Sequence, residues 1–131
     1  MKRFSVAALL AVGALLITAA PSLAHHSSTM FDTSKTMTIE GVVTKWELTN
    51  PHSWLWVETK DKDGKMVVWG FEAEGPSTLA RAGIRPSDFK VGTKLTITGN
   101  PMRDGTKAMI WVSATRADGK KFDPRAGFAV K

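Results

Sequence analysis

The chain has 131 residues, a formal net charge of +6 and no cysteine, and it contains five tryptophans but no tyrosine. This length allows one domain with one hydrophobic core, and the lack of cysteine excludes disulfides, so apolar burial has to stabilise the fold. Lysines and arginines are scattered among acidic residues, a pattern that favours solubility over nucleic-acid recognition.

Residues 1–24 have the pattern of a cleaved secretory signal. A positive head precedes an apolar run from Val6 to Thr18, and small residues then lead to a cleavage site after Ala24. The apolar run is shorter than the roughly 20 residues that span a bilayer, which argues against a membrane anchor. We therefore predict export to the periplasm, no membrane span after processing, and a mature chain that begins at His25.

Alternating apolar residues and turn signals predict five strands and one helix after a polar N-terminal arm, residues 25–35. The predicted strands cover residues 36–48, 53–59, 66–73, 94–99 and 108–115. The apolar phase of the first strand changes at Gly41–Val42, which predicts a β-bulge or a bend. Gly75–Pro76 and Gly83 enclose a helix of two turns at most. Residues 118–131 are treated as a C-terminal tail.

Three strands, a short helix and two further strands is the order of an OB-fold, a small Greek-key β-barrel. Closing such a barrel needs a bend in the longest strand, and Gly41 would supply it. The predicted fold class is therefore all-β with one short helix, as an OB-like β-barrel over residues 36–117. A small β-sandwich is the alternative, because both architectures bury alternate residues of each strand.

The corner Asn50–Pro51–His52 joins the first two predicted strands, since Asn before Pro is a turn signal. Beyond it, Trp54 and Trp56 share one face of the second strand with Glu58, which indicates the solvent side. Large exposed aromatic side chains usually serve a binding surface. We therefore predict that Trp54 and Trp56 bind a sugar, a peptide or an envelope protein. The barrel wall and core are expected to contain Trp46, Trp69 and Trp111.

The histidines suggest a metal site. If His25 is the first mature residue, its amine and its imidazole can chelate one ion, and His26 adds a third nitrogen. His52 could supply a further imidazole, and nitrogen-rich sites of this kind favour Cu(II) or Ni(II). Possible soft ligands for reduced copper are Met30, Met37 and Met102. The alternative is that the N-terminal histidines are solvated and that His52 bonds a backbone carbonyl at the corner.

Sequence features of enzymes are scarce. There is no Ser-His-Asp context, no phosphate loop and no His-Glu metalloprotease helix. Glu72 and Glu74 read as solvated acids just before the helix, so no catalytic residue is assigned. The main hypothesis is a non-enzymatic, exported copper-binding module. The alternatives are an interaction module that uses the tryptophan face, and a copper-dependent oxidative enzyme.

The chain resembles a family of small exported bacterial proteins of unknown function. The resemblance implies a periplasmic location but no activity, cofactor or catalytic residue. It rests on short motifs spread over residues 24–115: Ala24-His25-His26-Ser27, Thr49-Asn50-Pro51-His52-Ser53, Gly75-Pro76 with Leu79, Arg81 and Gly83, Val91-Gly92, and Gly99 to Gly105.

Overall fold

The structure, a computed structural model, describes residues 28–128, so the predicted signal sequence and His25 and His26 lie outside the described residues. One α-helix, α1 (Pro76–Arg81), separates the third strand from the fourth. The six strands are β1 (Met37–Glu47), β2 (His52–Lys60), β3 (Met66–Glu74), β4 (Lys94–Pro101), β5 (Ala108–Arg116) and β6 (Lys121–Phe122). Short 3-10 helices cover Ser28–Met30, Pro86–Phe89 and Ala126–Phe128.

The strands form one sheet in the order β3-β2-β1-β4-β5-β6, and β3 also pairs with β5 in parallel. This last pairing, which places Phe71 opposite Met109, closes β1–β5 into a five-stranded barrel. The closed barrel confirms the predicted OB-like fold and excludes the sandwich. Each predicted strand and the helix is present, with ends shifted by no more than two residues.

The core follows from the alternation of side chains along each strand. On β2, Ser53, Leu55 and Val57 are fully buried, whereas the residues between them face outward. Phe71 on β3 and Trp111 on β5 lie in the same core. Burial of these side chains supplies the stability that a chain without disulfides requires.

Aromatic rings fill one part of this core. Trp46, Phe89 and Trp111 pack edge to face, with ring centroids 5.2 to 6.3 Å apart. Within residues 28–128, the indole nitrogens of Trp46 and Trp111 are buried without a hydrogen-bond partner. Ring packing therefore holds these two side chains, as expected for wall and core tryptophans.

Strand β1 bends because its two halves pair with different strands. It pairs with β4 from Met37 to Val42 and with β2 from Val42 to Glu47. At Gly41 the neighbouring strand approaches closely: a β-carbon there would lie 2.7 Å from Cγ1 of Val57 and closer still to the backbone of β2. The bulge was predicted at Gly41–Val42, and the pairing register of β1 with β2 shifts just beyond it, between Val43 and Lys45.

The barrel has two ends, which we name by what lies there. At the arm end, where β1, β3 and β5 begin, the described part of the N-terminal arm packs on the turn between β4 and β5. Phe31 is buried and forms a β-bridge with Met102, and the backbone N–H of Arg103 donates to the carbonyl of Met30 at 2.9 Å. At the corner end, where β1 and β3 finish, lie the Asn-Pro corner and α1.

The described part of the C-terminal segment also belongs to the barrel. Phe122 on β6 is buried in the core. Beside it, the buried carboxylate of Asp88 accepts a 2.8 Å bond from the backbone N–H of Arg85 and a 2.7 Å bond from Nζ of Lys120. Nη1 of Arg116 lies 3.4 Å from the same carboxylate. Asp88 thus links the 3-10 helix before β4 to the turn that follows β5.

Among residues 28–128, no helix is long and apolar enough to cross a bilayer.

Candidate functional site

The outer side of β2 and β3 forms a continuous face, here called the β2–β3 face. Antiparallel register sets His52 opposite Glu74, Trp54 opposite Glu72 and Trp56 opposite Gly70. Neighbours on one side of such a pair are close enough for their side chains to interact. The face consists of His52, Trp54, Trp56 and Glu58 on β2, and Val68, Gly70, Glu72 and Glu74 on β3.

The two tryptophans predicted to bind a ligand are half-buried on this face. Their ring centroids are 5.7 Å apart and their planes differ by 20°, so the indoles are stacked with an offset. Gly70 makes room for Trp56, because a β-carbon on Gly70 would lie 2.8 Å from the six-membered ring. The indole of Trp56 therefore lies across the backbone of β3. The result is a paired aromatic surface rather than two independent side chains.

A carboxylate from β1 fixes the orientation of Trp56. Its indole Nε1–H donates to Oε2 of Glu47 at 3.2 Å, and the other oxygen of Glu47 forms a 2.7 Å ion pair with Lys45. The hydrogen bonds from Lys45 and from Trp56 hold the pKa of the Glu47 carboxyl below its ordinary value. Glu47 is thus a charged acceptor, which gives Trp56 a defined ring position.

His52 and Glu72 form the polar part of the face. Nδ1 of His52 lies 2.7 Å from Oε1 of Glu72, whose side chain is only 9% exposed. This bond fixes the ring so that Nε2 carries the remaining hydrogen-bonding capacity of the imidazole. Such a histidine can donate to a ligand, accept from one or coordinate a metal ion. The carboxylate predicted to be solvated is therefore buried beside the histidine instead.

The Asn-Pro corner holds His52 at the end of the barrel. The peptide bond between Asn50 and Pro51 is cis. The hydroxyl of Thr49 donates to the carbonyl of His52 at 2.7 Å, so the backbone bond at this corner comes from Thr49 and not from the imidazole. Gly75 packs against the corner, since a β-carbon there would lie 2.9 Å from Oδ1 of Asn50. The corner and the start of α1 thus form one packed unit next to the site.

The face is acidic although the whole chain is basic. When Lys60 of β2 and the bordering Lys45 and Glu47 of β1 are included, four carboxylates outnumber two lysines. Of these four carboxylates, only Glu47 is ion-paired with a lysine within residues 28–128. This charge disfavours phosphate, so the nucleic-acid ligands of many OB-folds do not suit this surface. The carboxylates are Glu47, Glu58, Glu72 and Glu74, and the lysines are Lys45 and Lys60.

The predicted metal ligands are not brought together within the described residues. His25 and His26 lie outside them, while the arm that follows is attached at the arm end and His52 lies at the corner end. Residues 28–128 contain no group of three His, Cys, Asp or Glu side chains arranged to hold a metal ion. His52 as a shared ligand therefore stays a prediction.

Sequence reasoning missed Glu47, Glu72 and Gly70 as parts of this surface. Gly70 and Glu72 alternate with the buried Phe71 and Ala73, so their shared outward phase could be read from β3 alone. Their contacts with Trp56 and His52 depend on cross-strand register, which periodicity does not give.

Fold and surface define the class of this protein: a small OB-like β-barrel that carries an acidic aromatic face. Residues 12–111 match the family of unknown function DUF6152, so the chain belongs to that family. The match includes the whole β2–β3 face and confirms the predicted resemblance to a family of unknown function. No curated protein and no solved structure matches the chain.

Proposed function

We propose that this protein is an exported, non-enzymatic binding module whose ligand stacks on the β2–β3 face. The observation that carries the proposal is the offset-stacked pair of Trp54 and Trp56, with Trp56 laid over Gly70 and held by Glu47. Fixed aromatic surfaces bind at low entropic cost, because few rotamers are lost on contact. Strands two and three also form the usual ligand platform of OB-folds.

Binding is tested with defined probes and intrinsic tryptophan fluorescence. Cellohexaose, chitohexaose and the peptide acetyl-(Lys-Gly)3-amide represent the sugar and peptide classes. Trp54→Ala should weaken the binding of any probe that binds by at least about tenfold, since stacking on one aromatic ring contributes about 1–3 kcal/mol. Val91→Ala, which shortens an exposed apolar side chain outside the β2–β3 face, is the control. Unchanged affinity in Trp54→Ala, or no response to any probe, contradicts the proposal.

The second candidate function is copper binding by the mature N-terminus. It is supported by the position of the arm, which the buried Phe31 and its bridge to Met102 attach to the barrel. Met30 precedes Phe31 and is half-exposed, so thioethers are available where the arm meets the barrel. His25 and His26 lie a few residues upstream of Met30 in the sequence.

Copper titration of the processed protein, followed by electron paramagnetic resonance, tests this candidate. We expect a nitrogen-ligated Cu(II) spectrum that changes when one extra residue precedes His25, because the extra residue displaces the chelating amine. His52→Ala tests whether His52 is a further ligand: a changed spectrum indicates that its imidazole joins the site, and an unchanged spectrum indicates that it does not. A spectrum of free copper, or one insensitive to the added residue, argues against the site.

A further inference from the structure

We infer that the ligand of the β2–β3 face is an extended, basic polypeptide segment that carries lysine or arginine side chains. This inference rests on the proposed function and specifies its ligand class. It starts from the charge of the face, where Glu58 and Glu74 have no ion-pair partner among the described residues. Unpaired carboxylates on both sides of an aromatic pair attract cations and repel anions.

The tryptophans favour the same ligand. A cation over an indole face is attracted by the ring quadrupole, and Trp is the best of the aromatic side chains for this interaction. The protein already contains one such contact, since Nζ of Lys107 lies 5.3 Å from the ring centre of Trp69. On the β2–β3 face, however, Lys45 is paired with Glu47, and no cation–π contact involving Trp54 or Trp56 occurs within residues 28–128. Their indoles are thus available to a cation from outside.

The spacing of the carboxylates indicates an extended ligand. Glu74 on β3 lies opposite His52 on β2, and Glu58 lies six residues after His52 on β2. At about 3.3 Å per residue the two carboxylates are separated by about 20 Å along β2, with both tryptophans between them. A single small cation cannot contact both. A strand-like peptide can, because its alternate side chains point to one side at about 7 Å intervals.

His52 can contribute a polar contact at one end of this ligand. Its Nδ1 is occupied by Glu72, so Nε2 is left to bond with a backbone group of the peptide. A neutral glycan could also stack on the indoles, but it would make no use of the excess negative charge.

Three probes separate these ligands: acetyl-(Lys-Gly)3-amide, its acidic counterpart acetyl-(Glu-Gly)3-amide, and cellohexaose. The basic peptide should bind at least about tenfold more tightly than either of the others, and its affinity should fall with added salt. The double variant Glu58→Gln/Glu74→Gln should weaken binding of the basic peptide about tenfold. The control is Asp104→Asn/Asp123→Asn, which also removes two charges, from exposed residues in the loops after β4 and β6, where the amide oxygens can still accept from the backbone N–H groups of Thr106 and Arg125.

The outcomes are distinguishable. If cellohexaose binds through Trp54 and the basic peptide does not, the inference is wrong while the proposed function stands. If Asp104→Asn/Asp123→Asn weakens binding of the basic peptide as much as Glu58→Gln/Glu74→Gln does, the attraction is unspecific and the inference is also wrong. If none of the probes responds to Trp54→Ala, the proposed function itself fails.

Discussion

Replacing Gly41 with alanine should lower the free energy of unfolding by about 3 kcal/mol or more, enough to unfold a marginally stable domain. The new β-carbon would overlap the carbonyl oxygen of Glu58 and approach Cγ1 of Val57 to 2.7 Å. The first obstacle is backbone of the paired strand, so rotation of a side chain cannot relieve it. Strands β1 and β2 would have to separate where β1 passes from one partner to the other.

Urea unfolding measures this effect, with Gly64→Ala as the matched control. Gly64 lies in the turn between β2 and β3 with a positive φ of 78°, but a β-carbon there meets nothing within 4 Å. That variant should lose only about 1 kcal/mol, the cost of a left-handed conformation for alanine. Equal stability of the two variants would show that close approach at Gly41 is unimportant.

Asp88→Asn should destabilise the protein by about 2 kcal/mol near neutral pH, because it removes the charge that Lys120 and Arg116 contact. Burial alone raises the pKa of Asp88. The hydrogen bonds from Lys120 and from the backbone of Arg85, together with the charges of Lys120 and Arg116, outweigh burial and lower the pKa below its ordinary 3.8.

This stabilisation is present above the ordinary pKa and is lost as the pH falls through the lower folded-state value. The difference between wild type and Asp88→Asn should therefore be largest above about pH 4 and shrink in stronger acid. Asp118, whose pKa a hydrogen bond from Arg116 lowers to about 2, is retained in both proteins. Asp63→Asn, an exposed change of the same kind, should have little effect at any pH. If the stability difference between wild type and Asp88→Asn persists unchanged in acid, the charge of Asp88 is not what stabilises the fold.

The fold was largely predictable because its signals are local. Alternation indicated which residues of β2 face inward, and the Gly-Pro start of α1 marked the connection after β3. The order of strands then limited the choice to a barrel or a sandwich. What separated these was the parallel contact between Phe71 and Met109, a long-range pairing that no local pattern specifies.

The candidate site was only partly predictable for the same reason. Trp54 and Trp56 were placed outward from the phase of β2 alone, and Glu58 with them. The bond between His52 and Glu72 depends on the register of β2 against β3, and the bond between Trp56 and Glu47 depends on a third strand. Sequence reasoning therefore predicted the aromatic part of the surface and Glu58, but not the contacts of Glu47 and Glu72.

The metal hypothesis also depended on a long-range contact that the sequence does not specify. Placing His52 beside the N-terminal histidines relied on the rarity of histidine in the chain, not on any strand pairing. In the described residues, the arm joins the turn between β4 and β5, whereas His52 belongs to the corner before β2. Copper binding by the N-terminal histidines and ligand stacking on the β2–β3 face are therefore separate proposals, and separate experiments test them.

Nuclear magnetic resonance of the five indole N–H groups tests the central proposal most directly. Titration with acetyl-(Lys-Gly)3-amide and with cellohexaose, assigned by single tryptophan variants, reports which rings contact a probe. Stacking on the β2–β3 face predicts shifts of the Trp54 and Trp56 signals, while the buried Trp111 stays unchanged. Shifts confined to Trp69, or no shift with either probe, would contradict a ligand site on this face.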